Sequence, residues 1–251
     1  MIVELTGCSA AGKSTLLAAI LALGREHGLP LVTPADVLLT ALPDALTTHP
    51  TAQNLAFDLS ATRRRRQLRA RYGRFLDFAR ATIRRDSDHL LTGLNAYRGV
   101  VRCVGIYDAL ADLADDERIV LVDEGTVHSA HNILAHVGRS AQKADINTFA
   151  QLAPLPDLLL SVTAPLETVL QRTATRADPP LRGRSPDATA TFVRHAHAMF
   201  HTLTGCDRIA RRTMRIENDG TGLPGDHARA LDVVQYLARR GERPADAQRA
   251  G

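Results

Sequence analysis

The residues GCSAAGKS at positions 7–14 constrain the fold of this chain more than any other stretch. They fit the pattern G-x-x-x-x-G-K-[ST], which forms a phosphate-binding loop where it lies between a strand and a helix. The apolar run at 2–5 predicts a short buried strand, and a predicted helix begins near Gly12 and continues past Ile20. The pattern therefore has the context it requires, and it predicts an α/β fold with a nucleotide site.

Each residue type in this loop has a physical role. Glycine tolerates the positive φ angles that let the backbone curl, and the curl directs successive N–H groups toward one centre at a helix N-terminus. Lys13 is placed to reach the β- and γ-phosphates of a nucleotide, and the Ser14 hydroxyl to ligate the Mg²⁺ that bridges them. We expect Cys8, inside the loop, to be a small packing residue and not a nucleophile.

Length and composition set outer limits. With 251 residues, 45% of them hydrophobic, the chain is long enough to bury one sizeable core. No apolar stretch is long enough to cross a bilayer and no leader precedes the first strand, so we expect a cytoplasmic protein. Cys8, Cys103 and Cys206 lack metal-ligand spacing, which favours free thiols.

Predicted strands and helices alternate along the chain, which indicates a parallel sheet covered by helices. We predict a three-layer α/β fold in a single domain over 1–240, followed by a polar tail at 241–251. The five strands are predicted at 2–5, 29–33, 118–123, 157–163 and 213–216. A long helical region is predicted at 51–114 and a last helix at 226–240.

The segment 63–85, RRRRQLRARYGRFLDFARATIRR, is strongly basic. Its apolar residues recur at helical spacing and predict one buried face: Leu68, Tyr72, Phe75, Leu76, Ala79 and Ile83. Four consecutive arginines point in all directions around a helix, so they cannot form one binding stripe. A solvated helix face is the leading interpretation, and phosphate, acceptor or nucleic-acid binding stays open. The lack of Trp and the 4% aromatic content argue against base stacking.

An acidic pair, Asp123-Glu124, ends the predicted third strand, RIVLVD. Ligands of open α/β sheets bind outside the carboxyl ends of the strands, so Asp123 is expected to face the nucleotide and hold Mg²⁺ or its waters. A carboxylate buried there without a cation would be costly, which favours this role over that of a simple turn residue.

Two histidines follow in GTVHSAHNIL. Their i, i+3 spacing places His128 and His131 on one side of a helix. Three interpretations remain: structural histidines, contact with an acceptor, or a zinc site, for which no further Cys or His ligand is obvious.

Arginines are concentrated after the fourth strand, in APLETVLQRTATRADPPLRGRS. Arg172 and Arg176 lie one helical turn apart, and Arg182 and Arg184 follow in a loop rich in Pro and Gly. Phosphoryl transfer needs cations where the transferred group spreads its charge, and a mobile lid over 172–186 would supply them and exclude water. A basic surface loop is the alternative.

Two more polar positions follow predicted strands. In the turn RIENDGT, Asn218, Asp219 and Gly220 allow unusual backbone conformations and close approach of an adenine ring, although an ordinary turn fits almost as well. Asp36, after the second strand, is either the base that accepts the proton of an attacking hydroxyl or the N-cap of the next helix.

Taken in chain order, GCSAAGKST, VLVDEG, PDLLLSVTAPLETVLQRTATR and IENDGT resemble the P-loop kinases of nucleosides, nucleotides and other small molecules, above all the thymidylate-kinase-like branch. The resemblance implies a kinase-type P-loop NTPase fold in which ATP is held by Gly7, Cys8, Ser9, Ala10, Ala11, Gly12, Lys13, Ser14 and Thr15. It also implies that Arg172 and Arg176 belong to the lid, and that the turn at 218–220 lies near the base.

Two departures from that branch bear on the acceptor. Thymidylate kinases carry an aspartate-arginine pair where this chain has Asp123-Glu124, and their acceptor-phosphate arginines have no secure match in 51–87. An alcohol on a nucleoside, sugar or secondary metabolite is therefore at least as well supported as a nucleoside monophosphate. The region 51–114 is the expected acceptor-binding region, with further contacts from Asp36, Glu124, His128, Arg182 and Arg184.

The sequence thus predicts an ATP- and Mg²⁺-dependent phosphotransferase that acts on a small molecule. Its catalytic candidates are Lys13, Asp36, Asp123, Arg172 and Arg176, with Glu124 as a substitute for Asp36 as base. One alternative is a nucleotide-dependent switch ATPase, which needs no arginine lid. Another is a nucleic-acid binder built on the basic helix, whose binding would be steeply salt-sensitive. Homodimerisation and the choice of ATP over GTP stay open.

Overall fold

The structure is a computed structural model that describes residues 1–40, 49–87, 89–113, 118–176, 180–181, 184–218 and 223–241. Its strands are β1 (Ile2–Thr6), β2 (Leu31–Val32), β3 (Ile119–Asp123), β4 (Leu158–Thr163) and β5 (Thr213–Glu217). The helices in these ranges are α1 (Lys13–Glu26), α2 (Pro34–Leu38), α3 (Pro50–Arg63), α4 (Arg65–Asp86), α5 (Leu90–Asp112), α6 (Ala130–Leu134), α7 (Lys143–Leu152), α8 (Leu166–Ala174), α9 (Pro186–Thr204), α10 (Asp207–Ala210) and α11 (Leu223–Gly241). The predicted tail beyond Gly241 lies outside the described residues.

The five strands form one parallel sheet in the order β2-β3-β1-β4-β5. This confirms the predicted three-layer α/β architecture. β2 is shorter than the predicted 29–33, because Pro30 has no N–H for a sheet hydrogen bond and Gly28 turns the chain at a φ of 70°. The described part of the region predicted at 51–114 is mostly helical, as predicted, and it contains α3, α4 and α5.

The register of the central strands decides which loops meet. Leu5 of β1 lies opposite Asp123 of β3, and Thr6 lies opposite Ser161 of β4. Because the strands are parallel, their carboxyl ends share one edge of the sheet. The phosphate-binding loop, the acidic pair after β3 and the segment after β4 therefore lie side by side.

Two apolar layers cover the sheet. On one face, Leu16 and Ile20 of α1 pack with Val233 of α11. The opposite face is covered by α4, α6, α7 and α9, whose core includes Phe75 and Phe149. Among the described residues, no helix combines the length and apolarity needed to traverse a bilayer.

The basic segment has the buried face that its spacing predicts. The residues of that face that are buried are Leu68, Phe75, Leu76, Ala79 and Ile83, while Tyr72 is half-buried at a kink with a φ of −123°. Most of the arginines opposite are exposed, as a solvated face requires. Arg64 and Arg71 both donate to the fully buried Asp108 and to Asp112 of α5. These two arginines therefore hold α4 against α5.

Candidate phosphate and acceptor site

The loop after β1 has the curled backbone that its glycines predict. Gly7 and Gly12 have φ angles of 138° and 101°, and Ala10 has a φ of 65°. A Cβ on Gly7 would lie 2.2 Å from the Val162 carbonyl oxygen, so the loop can approach β4 this closely only with glycine there. Gly12 precedes α1 directly, so the loop N–H groups and the helix N-terminus form a site suited to an anion.

Lys13 lies at the centre of this loop. Its side chain is 6% exposed, and its ammonium group donates to the carbonyl oxygens of Gly7, at 3.2 Å, and Cys8, at 3.3 Å. The same nitrogen lies 3.7 Å from a carboxylate oxygen of Glu124. The neighbouring Cys8 is buried, and burial raises the pKa of its thiol to about 11, which agrees with packing and not with nucleophilic chemistry.

Ser14 and Asp123 are in direct contact. The Ser14 hydroxyl donates to Asp123 Oδ2 at 3.3 Å, and both side chains are exposed at the edge of the sheet. Hydroxyl and carboxylate oxygens are hard donors of the kind that Mg²⁺ prefers, together with water and phosphate oxygens. The pair fits a magnesium ion held at the phosphate loop.

Glu124 has an unusual backbone conformation. Its φ of 61° lies in the left-handed region, which non-glycine residues adopt at a cost and which is concentrated at functional sites. Its Oε1 lies 3.7 Å from Lys13 Nζ and 3.4 Å from His128 Nε2, and the side chain is 58% exposed. The residue therefore presents a partly solvated carboxylate between the phosphate loop and a buried histidine.

His128 is buried, His131 is half-buried, and their rings are stacked. The rings of His128 and His131 lie 5.5 Å apart, and the ring of Phe200 lies 5.4 Å from that of His128. Burial, with Lys13 nearby, lowers the pKa of His128 well below its usual 6.5 and that of His131 to about 4, so both rings are neutral. In the described part of the chain, no group of three potential ligands could hold a metal ion here. The residues that the structure describes therefore do not support the zinc interpretation.

The first lid arginines contact the phosphate loop. Arg172 donates to the Ala10 carbonyl oxygen at 3.4 Å and to Asn218 Oδ1 at 3.3 Å, and Arg176 donates to the Ser9 hydroxyl at 3.1 Å. Asn218 in turn donates to the Ala11 carbonyl oxygen at 2.9 Å. The segment that ends α8 and the residue after β5 are thus joined to the loop by hydrogen bonds.

The remaining predicted residues differ in position. Arg182, Asp219 and Gly220 lie outside the described residues. Arg184 is exposed just before α9, and its backbone N–H donates to Leu181. Thr15, the last residue of the predicted ATP set, is exposed in the first turn of α1.

Asp36 serves a helix terminus. It is the third residue of α2, and Thr33 is the N-cap, so the prediction of Asp36 as N-cap is displaced by three residues. The Thr33 side chain accepts from the Asp36 N–H, while Asp36 Oδ2 accepts from the Thr33 N–H at 2.7 Å and from its hydroxyl at 2.8 Å. This reciprocal capping box favours the capping interpretation over the base.

A cavity of about 470 Å³ opens beside the acidic pair. It lies between the end of β3, α3 and α5, and its polar lining includes Glu4, Asn54, Arg102, Glu124, His128 and Asn132. Sequence reasoning missed Glu4, Asn54, Arg102 and Asn132. Glu4 alone had a usable signal, since it is a carboxylate within an otherwise apolar first strand.

Glu4 is 2% exposed and accepts three hydrogen bonds from the turn after β3. The donors are the backbone N–H groups of His128, at 2.7 Å, and Val127, at 3.2 Å, and the Thr126 hydroxyl, at 3.3 Å. Burial outweighs these bonds and raises the pKa of Glu4 to about 7. Gly125 is required here, because a Cβ on it would lie 2.6 Å from Glu4 Oε2.

No protein-family model and no curated protein sequence matches the chain. Among solved structures, thymidylate kinase from Candida albicans matches with a TM-score of 0.53 and 14% identity, over 96% of this chain and 93% of that one. Deoxyadenosine kinase from M. mycoides with bound dATP matches with a TM-score of 0.48 and 12% identity, over 94% of this chain and 99% of that one. The first similarity exceeds a TM-score of 0.5. The chain therefore has the three-layer α/β fold of a P-loop kinase, the fold that its motifs predicted.

Proposed function

We propose that this protein is an ATP- and Mg²⁺-dependent phosphotransferase that transfers the γ-phosphate to a small-molecule acceptor. The observation that carries the proposal is the contact of 3.7 Å between Lys13 and Glu124. Lys13 belongs to the phosphate loop and Glu124 lines the cavity, so the two binding regions meet at this contact. A switch ATPase would need the loop but not a cavity next to it.

In this proposal the loop from Gly7 to Thr15 binds the phosphates of ATP through its N–H groups, with Lys13 at the β- and γ-phosphates. Ser14 and Asp123 hold Mg²⁺, which neutralises phosphate charge when bound. The adenine ring approaches the turn that begins at Asn218, a proposal supported by the hydrogen bond from Asn218 to the Ala11 carbonyl oxygen of the loop. Arg172 and Arg176 stabilise the charge of the transferring group.

The acceptor occupies the cavity beside Glu124. We assign the role of general base, which accepts the proton of the acceptor hydroxyl, to Glu124 and not to Asp36. Glu124 lines the cavity, while Asp36 is exposed and engaged in the capping box. His128 lies beside the Glu124 carboxylate, with its Nε2 3.4 Å from Glu124 Oε1, and as a neutral ring it adds no charge there. Phosphoryl transfer requires little covalent chemistry from the protein. Most of the rate enhancement therefore comes from the positioning of the reactants and from electrostatic stabilisation of the transferring group.

The test is acceptor-dependent release of ADP from Mg-ATP, measured across nucleosides, nucleoside monophosphates, sugars and hydroxyl-bearing antibiotics. Lys13→Ala should lower transfer by about 10²- to 10³-fold, because it removes a cation aimed at the developing charge. Lys143→Ala is the matched control, since Lys143 is the only other lysine and is exposed at the start of α7. ADP released at one slow rate whatever the acceptor, and equally by Lys13→Ala, would contradict the proposal.

A further inference from the structure

The charges around the acceptor cavity are unbalanced. Three carboxylates line it, from Glu4, Asp123 and Glu124. Among the described lining residues, the cationic side chain is that of Arg102. In the proposed function Asp123 is compensated by Mg²⁺ and Glu124 is shared with Lys13, which leaves Glu4 without a cationic partner in its hydrogen-bond network.

The guanidinium group of Arg102 already has hydrogen-bond partners within the protein. Its Nε donates to Asp58 Oδ1 at 3.0 Å, and one of its terminal nitrogens donates to Asn54. Asp58 also accepts from Arg98, and its own side chain is only 12% exposed. Arg102 therefore joins α3 to α5, and its guanidinium is held in place by Asp58 and Asn54. His128, the other basic residue of the lining, is neutral because burial lowers its pKa.

A phosphate on the acceptor would be disfavoured in such a cavity. A phosphomonoester brings about two negative charges at neutral pH and needs arginines or N–H groups to replace its hydration. Here it would approach the Glu124 carboxylate and Glu4, whose pKa burial raises to about 7, while the guanidinium of Arg102 already donates to Asp58 and Asn54. An amine would have the opposite effect, since it would compensate Glu4 and favour the ionised form of that carboxyl.

We propose, on the basis of the proposed function, that the acceptor is an alcohol without a phosphate group, and that the cavity ranks acceptors by charge, with amino alcohols above neutral alcohols and phosphomonoesters last. The acceptor oxygen forms a bond to the γ-phosphorus while the bond from that phosphorus to the bridging oxygen of ADP breaks. The hydroxyl proton passes to the Glu124 carboxylate, and ADP leaves with the bridging oxygen. The products are ADP and a phosphomonoester of the alcohol.

The first experiment does not require the acceptor to be known. A protein-free metabolite extract of the native host cells is separated by ion exchange at neutral pH into anionic, neutral and cationic fractions. Each fraction is incubated with Mg-ATP carrying a labelled γ-phosphate and with the wild-type chain or Lys13→Ala. We expect Lys13-dependent labelled product from the cationic or neutral fraction.

The outcomes separate the two proposals. Product formed mainly from the anionic fraction would overturn the charge ranking and leave the phosphotransferase proposal standing. Product from no fraction, with Mg-ATP still bound in a manner that depends on Lys13, would contradict the proposed function itself. Label transferred equally by Lys13→Ala would do the same.

A second experiment uses the acceptor so found, with and without an added phosphate ester at a remote hydroxyl. The phosphorylated form should have a kcat/KM lower by about 100-fold, since like charges about 6 Å apart at an effective dielectric of ~20 repel by an energy of that order. Asn132→Lys should raise the relative kcat/KM of the phosphorylated form by about tenfold, because it adds a cation to an exposed position of the lining. Asn132→Met is the neutral control of similar length. Equal kcat/KM for the two forms in the wild type would refute the ranking.

Discussion

Ser14 donates a hydrogen bond to Asp123 across 3.3 Å, although the two residues are 109 positions apart in the chain. The parallel register that places Leu5 opposite Asp123 brings them together. A hydroxyl on the first turn of α1 and a carboxylate at the end of β3 thus converge beside the phosphate loop. Their proximity is the basis for assigning Mg²⁺ to this edge of the sheet.

Asp123→Asn should raise the Mg²⁺ concentration needed for half-maximal transfer by about 10- to 100-fold, since an amide lacks the charge that holds the ion or its waters. The measurement is the Mg²⁺ concentration that gives half-maximal transfer at saturating nucleotide. Asp77→Asn is the control, because Asp77 is an exposed carboxylate paired with Arg69 on α4. An unchanged Mg²⁺ midpoint in Asp123→Asn would remove this residue from the metal site.

Glu124→Gln should lower kcat by about 10²- to 10⁴-fold, the range expected when a general base is lost, with little change in ATP affinity. Asp36→Asn should retain transfer and lose about 0.5 to 2 kcal/mol of unfolding free energy, because it weakens the capping box of α2. Steady-state kinetics and urea denaturation of both variants separate the two roles. Loss of transfer in Asp36→Asn alone would return the role of base to Asp36.

Arg172→Lys should lower kcat nearly as much as Arg172→Ala, by about 10²-fold or more. The planar guanidinium reaches both the Ala10 carbonyl and Asn218, and a lysine ammonium cannot occupy both directions in the same way. Arg25→Lys, at an exposed position in the last turn of α1, is the control. Full activity in Arg172→Lys would mean that charge alone is required at this position.

Glu4 should make stability depend on pH. Its pKa is about 7 in the folded chain and 4.5 in an ordinary setting. Between these two pH values the folded chain binds a proton at Glu4 that the unfolded chain does not. The contribution of Glu4 to the unfolding free energy is therefore fully present below pH 4.5 and is lost as the pH rises through 7. Glu4→Gln cannot titrate. We expect the difference in unfolding free energy between wild type and variant to change by about 3 kcal/mol between these limits.

Urea denaturation of both chains, repeated at several pH values from roughly pH 4 to pH 8, measures that difference in unfolding free energy across the window in which Glu4 titrates. The half-buried His131, whose pKa is lowered to about 4, acts in the opposite direction, because its contribution to the unfolding free energy is lost as the pH falls. It is present in both chains and cancels in the comparison. A difference that stays constant with pH would show that folding does not shift the pKa of Glu4.

The sequence by itself determined the phosphate loop, the strands and the helix faces, because each depends on neighbours within a few residues. The glycines at 7 and 12 set the backbone of the loop, and the spacing from Leu68 to Ile83 set the buried face of α4. The five-stranded parallel sheet followed from the alternation of strands and helices. Local rules are sufficient for these features, since backbone conformation and periodicity are local properties.

The tertiary structure decided which polar groups face one another. Asp36 and Glu124 were both candidates for the base, and only the capping box of α2 and the cavity beside Glu124 separate them. The role of Glu4 depends on the packing of β1 beneath the turn at 126–128, which donates hydrogen bonds to its carboxyl group. The contacts of Glu4 join residues more than a hundred positions apart, and sheet register and helix packing fix them, which no local pattern encodes.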